Sequence, residues 1–275
     1  MRISLSTSKW YDNIWAALIF FTRLPFWRLH QPPKECFRTV VEHWPLAGWL
    51  TGGIMAAVLY FSSMVFPHSI AVLLAIASRL LVTGALHEDG LTDFFDGFGG
   101  GGNDRQRILD IMKDSRIGTY GVIGIVMYGL LLYFSLSYMP VRMAAFVIIA
   151  ADPFAKMVAG QIIMMMPYAR TEEESKAKVV YRNINIRAGI GLAVQGMLPC
   201  ALLTYMFPSF VLVNWQWIVF APCLVMYFLY LMIWRKLRGY TGDCCGALFL
   251  LIELTFYMTV VVLLYMNQNI DIPWK

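Results

Sequence analysis

The sequence is short of charge: Asp, Glu, Lys and Arg supply 14% of its 275 residues, while 59% are hydrophobic. Soluble domains carry roughly 25% charged residues. The shortage, with a mean hydropathy of +0.61, sets aside a water-soluble fold and makes a bilayer the natural solvent. Polar stripes at helical period, which a soluble helical core needs on its wet face, are scarce over residues 46–66 and 247–266. Cysteine is sparse too. Cys36, Cys200, Cys223, Cys244 and Cys245 are odd in number and contain no C-x-x-C pair, which sets aside a disulfide framework and a zinc site. The internal repeat found in many transporters is missing. The basic start at Arg2 and Lys9 leads to no small-residue cleavage site, so no removable signal is expected.

What is present is a series of apolar runs near the ~20 residues that a helix needs to cross about 30 Å of hydrocarbon. Residues 46–66, 70–86, 119–139, 142–166, 188–207, 215–234 and 247–266 are the candidate spans. The shorter run from Ile14 to Phe21 ends at Arg23 and Pro25 and reads as an interfacial or re-entrant helix. The expected fold is all-α: a polytopic membrane helix bundle of about seven spans plus that short helix, in one domain over residues 1–275. The net charge of +5 does not mark a nucleic-acid binder, because the basic residues sit between spans. Loops 23–45, 87–118, 167–187 and 235–246 hold sixteen of the twenty-two Lys and Arg, whereas the connections near Pro67, Pro140 and Pro208 and the C-terminal tail hold only Arg142 and Lys275. The positive-inside rule puts the four rich loops in the cytoplasm.

The second rich loop opens His87-Glu88-Asp89-Gly90-Leu91-Thr92-Asp93-Phe94-Phe95-Asp96-Gly97. If helical, it sets Asp89, Asp93 and Asp96 on one face, with Glu88 turned away by about 100°. Like charges on one face repel unless a divalent cation sits among them, and carboxylate oxygens suit Mg²⁺ or Mn²⁺ with phosphate; the plain alternative is a solvated acidic helix end. Next come Gly99 to Gly102, where the backbone of Gly99 and Gly100 can approach a phosphate, and then Lys113 and Arg116, cations of the kind a diphosphate requires. Asp110 and Asp114 form a second acidic edge whose alternative role is ordinary helix ion pairing. Arg79, Asp152, Lys156 and Glu253 fall inside apolar runs, where ionisable groups are functional candidates by default; Asp152 and Lys156, four residues apart, are also placed to neutralise each other.

The run TGALHEDGLTDFFDGFGGG followed by MKDSRIGTYGV resembles the signature region of the cobalamin synthase family. Further resemblances follow in family order: FTRLPF at 21–26, WPLAGW at 44–49, PYAR at 167–170 and GYTGDCCGA at 239–247, with Glu253 beyond. Two departures are a missing Ser-Arg pair near Ala151 to Lys156, and Asp110 where Glu is frequent. The resemblance implies adenosylcobinamide-GDP and α-ribazole, or its 5′-phosphate, as substrates, with adenosylcobalamin or its 5′-phosphate and GMP as products. It implies an Mg²⁺-assisted phosphoryl transfer at the cytoplasmic face of a bacterial inner membrane. Asp89, Asp93 and Asp96 would hold the metal, Lys113 and Arg116 would meet developing charge, and Asp114 would take the hydroxyl proton. Arg23, His87, Glu88, Gly99, Gly100, Arg170 and Asp243 would bind substrate. The lipid bilayer is the remaining partner, and homo-oligomerisation is left open. A fainter similarity links Asp93-x2-Asp96-Gly97 and Asp110-x3-Asp114 to the CDP-alcohol phosphotransferases, whose intervening Ala-Arg and Gly are missing here. That family and, from another class, a divalent-cation transporter are the alternatives.

Overall fold

The structure is a computed structural model that describes residues 9–171, 180–182 and 184–269. Helix α1 (Asp12–Phe21) leads through 3-10 turns at Phe26–Arg28 and Lys34–His43 into α2 (Trp44–Ser62). Then follow α3 (His68–Thr83), α4 (Leu86–Gly100), α5 (Arg105–Lys113), α6 (Thr119–Tyr138), α7 (Val141–Gly160), the four-residue α8 (Ile162–Met165), α9 (Ile186–Met206), α10 (Pro208–Leu237) and α11 (Gly242–Asn269). Among the described residues there is no strand, only an isolated parallel bridge between Tyr168 and Tyr240.

Helices α2, α6, α7, α9, α10 and α11 are long and apolar enough to cross a membrane. The remaining expected span, 70–86, corresponds to α3, which has 16 residues and passes as a span only together with α4, bent from it by 90°. The bend comes from two successive left-handed residues, Gly84 at φ +65° and Ala85 at φ +54°. The first suits glycine; the second is a conformation that an alanine adopts only under local constraint. Helix α1, at ten residues, is too short to span, as expected.

The apolar surface is distributed as a bilayer requires. Helix α7 buries fifteen of its twenty residues and forms the centre with α11, whereas α6 buries five of twenty and α9 four of twenty-one. The outer helices leave large apolar side chains uncovered, such as Leu212, Val213 and Phe220. So much exposed hydrocarbon is tolerable only against lipid or a partner. The most extensive pairing, α2 on α7, relies on Gly48 and Gly52, a small-residue pair at four-residue spacing. A Cβ on Gly48 would come 2.7 Å from Asp152 Oδ1 and 3.0 Å from Pro153 Cα; one on Gly52 would come 3.2 Å from the Ile148 carbonyl oxygen. Gly48→Leu is therefore expected to lower stability by about 1–3 kcal/mol, the usual cost of overpacking. Gly53→Leu, with nothing within 4 Å of its Cβ position, should melt in detergent like the unaltered protein. Equal melting of the two variants would contradict this packing.

Two buried polar clusters tie the spans together. Arg79 Nη1 on α3 donates to both oxygens of Glu253 on α11, at 2.7 and 2.5 Å, while Nη2 donates to Tyr128 Oη on α6 at 2.9 Å. Tyr257 Oη donates to Glu253 at 2.8 Å, and Glu88 lies 3.7 Å from the same guanidinium. In the second cluster Lys156 pairs with Asp152, as their spacing foretold, and both meet Thr51 on α2. Apart from Glu88, whose Oε2 has no hydrogen-bond partner among the described residues, these groups satisfy one another inside the bundle, the condition on which charge is tolerated there.

Candidate active site

The four segments expected to share a face do meet. Arg105 on α5 donates to the Ala169 and Leu237 carbonyls at 2.7 and 2.8 Å, and Arg170 donates to the Leu109 carbonyl at 2.7 Å. Tyr240 N donates to the Pro167 carbonyl at 2.9 Å, Ala169 N to that of Tyr240 at 2.8 Å, and Arg182 N to that of Arg38 at 2.8 Å. Backbone and arginine hydrogen bonds thus link residues of 23–45, 87–118, 167–171, 180–182 and 235–246 at one face.

At its centre the first turns of α4 and α11 touch. A Cβ on Gly90 would come 3.1 Å from Asp243 Cα, and one on Gly246 would come 3.1 Å from the His87 carbonyl oxygen. Only glycine lets the two helix starts approach so closely. Helix α11 starts at Gly242 and is capped by Thr241, whose Oγ1 accepts from Cys244 N at 3.3 Å. Asp243 is therefore in a helix first turn, buried, with Thr241 Oγ1 at 3.5 Å from its carboxylate.

A cleft of about 120 Å³ opens at this crossing, lined by Phe20 and Phe21 from α1, Leu86, His87, Asp89 and Gly90 from α4, Tyr168, Arg170 and Tyr181 from residues 167–171 and 180–182, and Gly242, Asp243, Cys245 and Gly246 from α11. Of the expected site residues, His87, Asp89, Arg170 and Asp243 come together here. First-turn residues of both helices line this cleft, and a helix N-terminus favours an anion.

The others are placed elsewhere. The acidic segment is helical, as the spacing argument required, but Asp96 is buried and its oxygens accept from Gly118 N at 2.7 Å and Gly121 N at 2.8 Å, so it caps the start of α6. Among the described residues no group of three or more His, Cys, Asp or Glu is set to hold a metal ion. Mg²⁺, however, is characteristically held by one or two carboxylates plus substrate phosphates. Asp89, exposed at the cleft, and Asp93, one turn on, fit that smaller demand. Glu88 does turn away, into the bundle toward Arg79. Gly99 and Gly100 do not line the cleft: a Cβ on Gly99 would strike the Tyr120 ring at 2.5 Å, and one on Gly100 would meet Ile111 at 3.4 Å. These glycines seat neighbouring helices. Arg23 lies across Gly84, where a Cβ would come 2.4 Å from its Nε.

Asp114 and Arg116 pair with each other at 2.7 Å outside the cleft, with Arg116 87% exposed. Hydrogen bonds from Arg116 hold the Asp114 carboxyl below its ordinary range, which makes it a weak proton acceptor. Lys113 is exposed at the end of α5. Sequence reasoning missed Phe20, Phe21, Tyr168 and Tyr181, although three of them lie in or beside FTRLPF and PYAR.

The comparisons fit this arrangement. Residues 13–261 match the family model described as cobalamin-5-phosphate synthase. Relatives named adenosylcobinamide-GDP ribazoletransferase include one from Vibrio parahaemolyticus, 34% identical over 255 residues that cover 89% of this chain and 90% of the relative. Another, from Leptothrix cholodnii, is 35% identical over 263 residues that cover 88% and 92%. A third, from Shewanella amazonensis, is 33% identical and covers 90% and 94%. No solved structure matches the chain. A polytopic helical bundle matched nearly end to end, with residues of four of its signature segments lining one cleft, belongs to the cobalamin-5-phosphate synthase family.

Proposed function

We propose that the protein carries out the reaction in its relatives' name: it moves the adenosylcobinamide phosphoryl group from adenosylcobinamide-GDP to α-ribazole or its 5′-phosphate, giving adenosylcobalamin or its 5′-phosphate and GMP. A ribose hydroxyl oxygen attacks the phosphorus on the corrinoid side. The bond from that phosphorus to the GMP oxygen breaks, and the hydroxyl proton is released. The observation that carries this reading is the cleft at the α4–α11 crossing, where two helix N-termini and Arg170 offer positive potential beside Asp89. Lys113 lies one helical turn beyond Leu109, whose carbonyl Arg170 holds, so Lys113 and the adjacent Arg116 serve as rim cations for the charged part of the donor outside the cleft.

Mg²⁺ is the proposed cofactor, with Asp89 and Asp93 as its carboxylate donors; when bound it supplies charge neutralisation at the diphosphate. This chain's residues do the remaining work. Arg170 and the first turns of α4 and α11 orient the phosphates, and aromatic walls exclude water. The test is GMP release by purified, detergent-solubilised protein. GMP should form only when both substrates are present. Release without the acceptor would mark a hydrolase, and uptake into vesicles without GMP formation a transporter.

The cleft is proposed to face the cytoplasm of a bacterial inner membrane, on the distribution of Lys and Arg. Thiols introduced at Asn103 and Thr171, both exposed, in a background cleared of native cysteine, should resist an impermeant reagent in intact cells and react after lysis. Reaction of either in intact cells would contradict this orientation.

A further inference from the structure

We propose that a groove at the C-terminal end of α10 binds an anionic phospholipid, with one acyl chain lying along the helix and the headgroup phosphate held by Arg235 and Lys236.

The groove, of about 510 Å³, lies between the end of α10 and the turn that joins α4 to α5, and it is lined by Asn103, Phe228, Leu231, Met232, Arg235 and Lys236. Residues 228, 231, 232 and 235 stand at i, i+3, i+4 and i+7, so they form one stripe along α10. It differs from the stripe that α10 buries in the bundle, which runs through Ile218, Pro222, Met226, Ile233 and Leu237. The outer stripe is apolar for three residues and cationic at its end. Helix α10 has 30 residues, roughly 45 Å at about 1.5 Å per residue, against about 30 Å of hydrocarbon. Its charged last turn therefore stands at headgroup depth, while the exposed Phe228, about 10 Å back along the helix, stays at acyl depth. A water-soluble partner does not reach the apolar part of such a groove, and a plain hydrocarbon offers nothing to the cationic part. A phospholipid supplies both.

The mouth favours an anion. Lys236 Nζ donates to the Phe98 carbonyl at 3.2 Å and lies 5.8 Å from the Phe98 ring centre, so it ties α10 to α4. An ammonium has three N–H donors, which leaves two for a ligand. Arg235 is exposed and has neither a hydrogen bond nor an ion pair among the described residues, and the exposed Asn103 amide is likewise without a partner among them. No carboxylate lines the groove. Asp104, next to Asn103, caps α5, its Oδ1 accepting from Gln106 N at 2.9 Å and Arg107 N at 3.2 Å. The ammonium of a zwitterionic headgroup would meet two cations here and no counter-charge. The chemistry thus selects a phospholipid of net negative charge, such as phosphatidylglycerol. Seated there, it bridges α10 to the turn ahead of α5, the helix whose Leu109 carbonyl holds Arg170.

The experiment is native mass spectrometry of the purified full-length protein in detergent, titrated with phosphatidylglycerol, with phosphatidylcholine of the same acyl chains, and with glycerol 3-phosphate, which has the phosphate but no chains. The first lipid bound should be phosphatidylglycerol in preference to phosphatidylcholine. Arg235→Gln and Lys236→Gln should each weaken that binding about fivefold, the worth of one basic residue beside anionic lipid. Leu231→Trp, which fills the groove and keeps both cations, should weaken it as well. Arg107→Gln removes an exposed arginine that does not line the groove, and it should bind like the wild type. Phosphatidylglycerol should also raise the melting temperature of the wild type more than that of Arg235→Gln, as a ligand of the folded state does. Equal retention of the two lipids or an unaltered Leu231→Trp would overturn the proposal. An equal loss in Arg107→Gln and Arg235→Gln would reduce the site to diffuse surface charge, and glycerol 3-phosphate bound as tightly as the lipid would make it a free-anion site; either result overturns the proposal too. These readouts need no turnover, so they are independent of the transferase reading.

Discussion

Asp89→Asn is expected to cut GMP release by roughly a thousandfold or more while the protein melts as before. A divalent ion acting as Lewis acid supplies several kcal/mol of transition-state stabilisation, at about 1.36 kcal/mol per tenfold in rate. Asp89 is exposed at the cleft, with no buried structure built on it. Asp96→Asn separates the two roles that the spacing alone assigned together. Both Asp96 oxygens accept backbone N–H groups at the start of α6, and an asparagine side chain has only one carbonyl oxygen to offer. Its expected loss is about 1–2 kcal/mol of stability, the range of a lost helix cap. Activity against Mg²⁺ concentration, alongside detergent melting of both variants, reads the difference. An active Asp89→Asn enzyme with unaltered Mg²⁺ dependence would remove Asp89 from the site.

Glu253→Leu is expected to be the most damaging single change to stability, about 3–5 kcal/mol, because it leaves the Arg79 guanidinium buried without its counter-charge. Glu88, 3.7 Å from Arg79, is too distant to replace two direct bonds, and the hydroxyls of Tyr128 and Tyr257 carry no charge. The double variant Arg79→Met with Glu253→Leu removes both charges and should recover most of the loss, the behaviour of a buried pair replaced by apolar groups. Thermal melting and the yield of folded protein in detergent measure both. A single variant as stable as the wild type would show that the pair does not hold α3, α6 and α11 together.

Hydropathy revealed the spans because length and apolarity are what a bilayer demands of a helix. It failed at α10, which begins at Pro208, seven residues before the expected start: proline at the first position begins a helix as readily as it interrupts one. The 90° turn into α4 was not legible, since it depends on Ala85 adopting a left-handed conformation that its side chain does not favour. At the site, the helical face of Asp89, Asp93 and Asp96 was readable from spacing. That Asp96 turns back to cap α6 was not, because its partners Gly118 and Gly121 are distant in sequence and are backbone groups. The glycine run misled for a related reason: close approach was correctly expected, but what approaches Gly99 is Tyr120. The aromatic cleft walls are Phe20 and Phe21 of α1 with Tyr168 and Tyr181, and only the packed bundle brings them to α4.

The claim that both substrates engage the cleft at the α4–α11 crossing is tested most directly by substrate protection of a thiol. Leu86 lines the cleft and is partly accessible, whereas Asn103 is exposed and lies outside it. With native cysteines removed, Leu86→Cys should react more slowly with a maleimide when adenosylcobinamide-GDP or α-ribazole is bound, and Asn103→Cys should react at one rate throughout. Labelling of Leu86→Cys that is indifferent to both substrates, with protection appearing at Asn103→Cys instead, would contradict it.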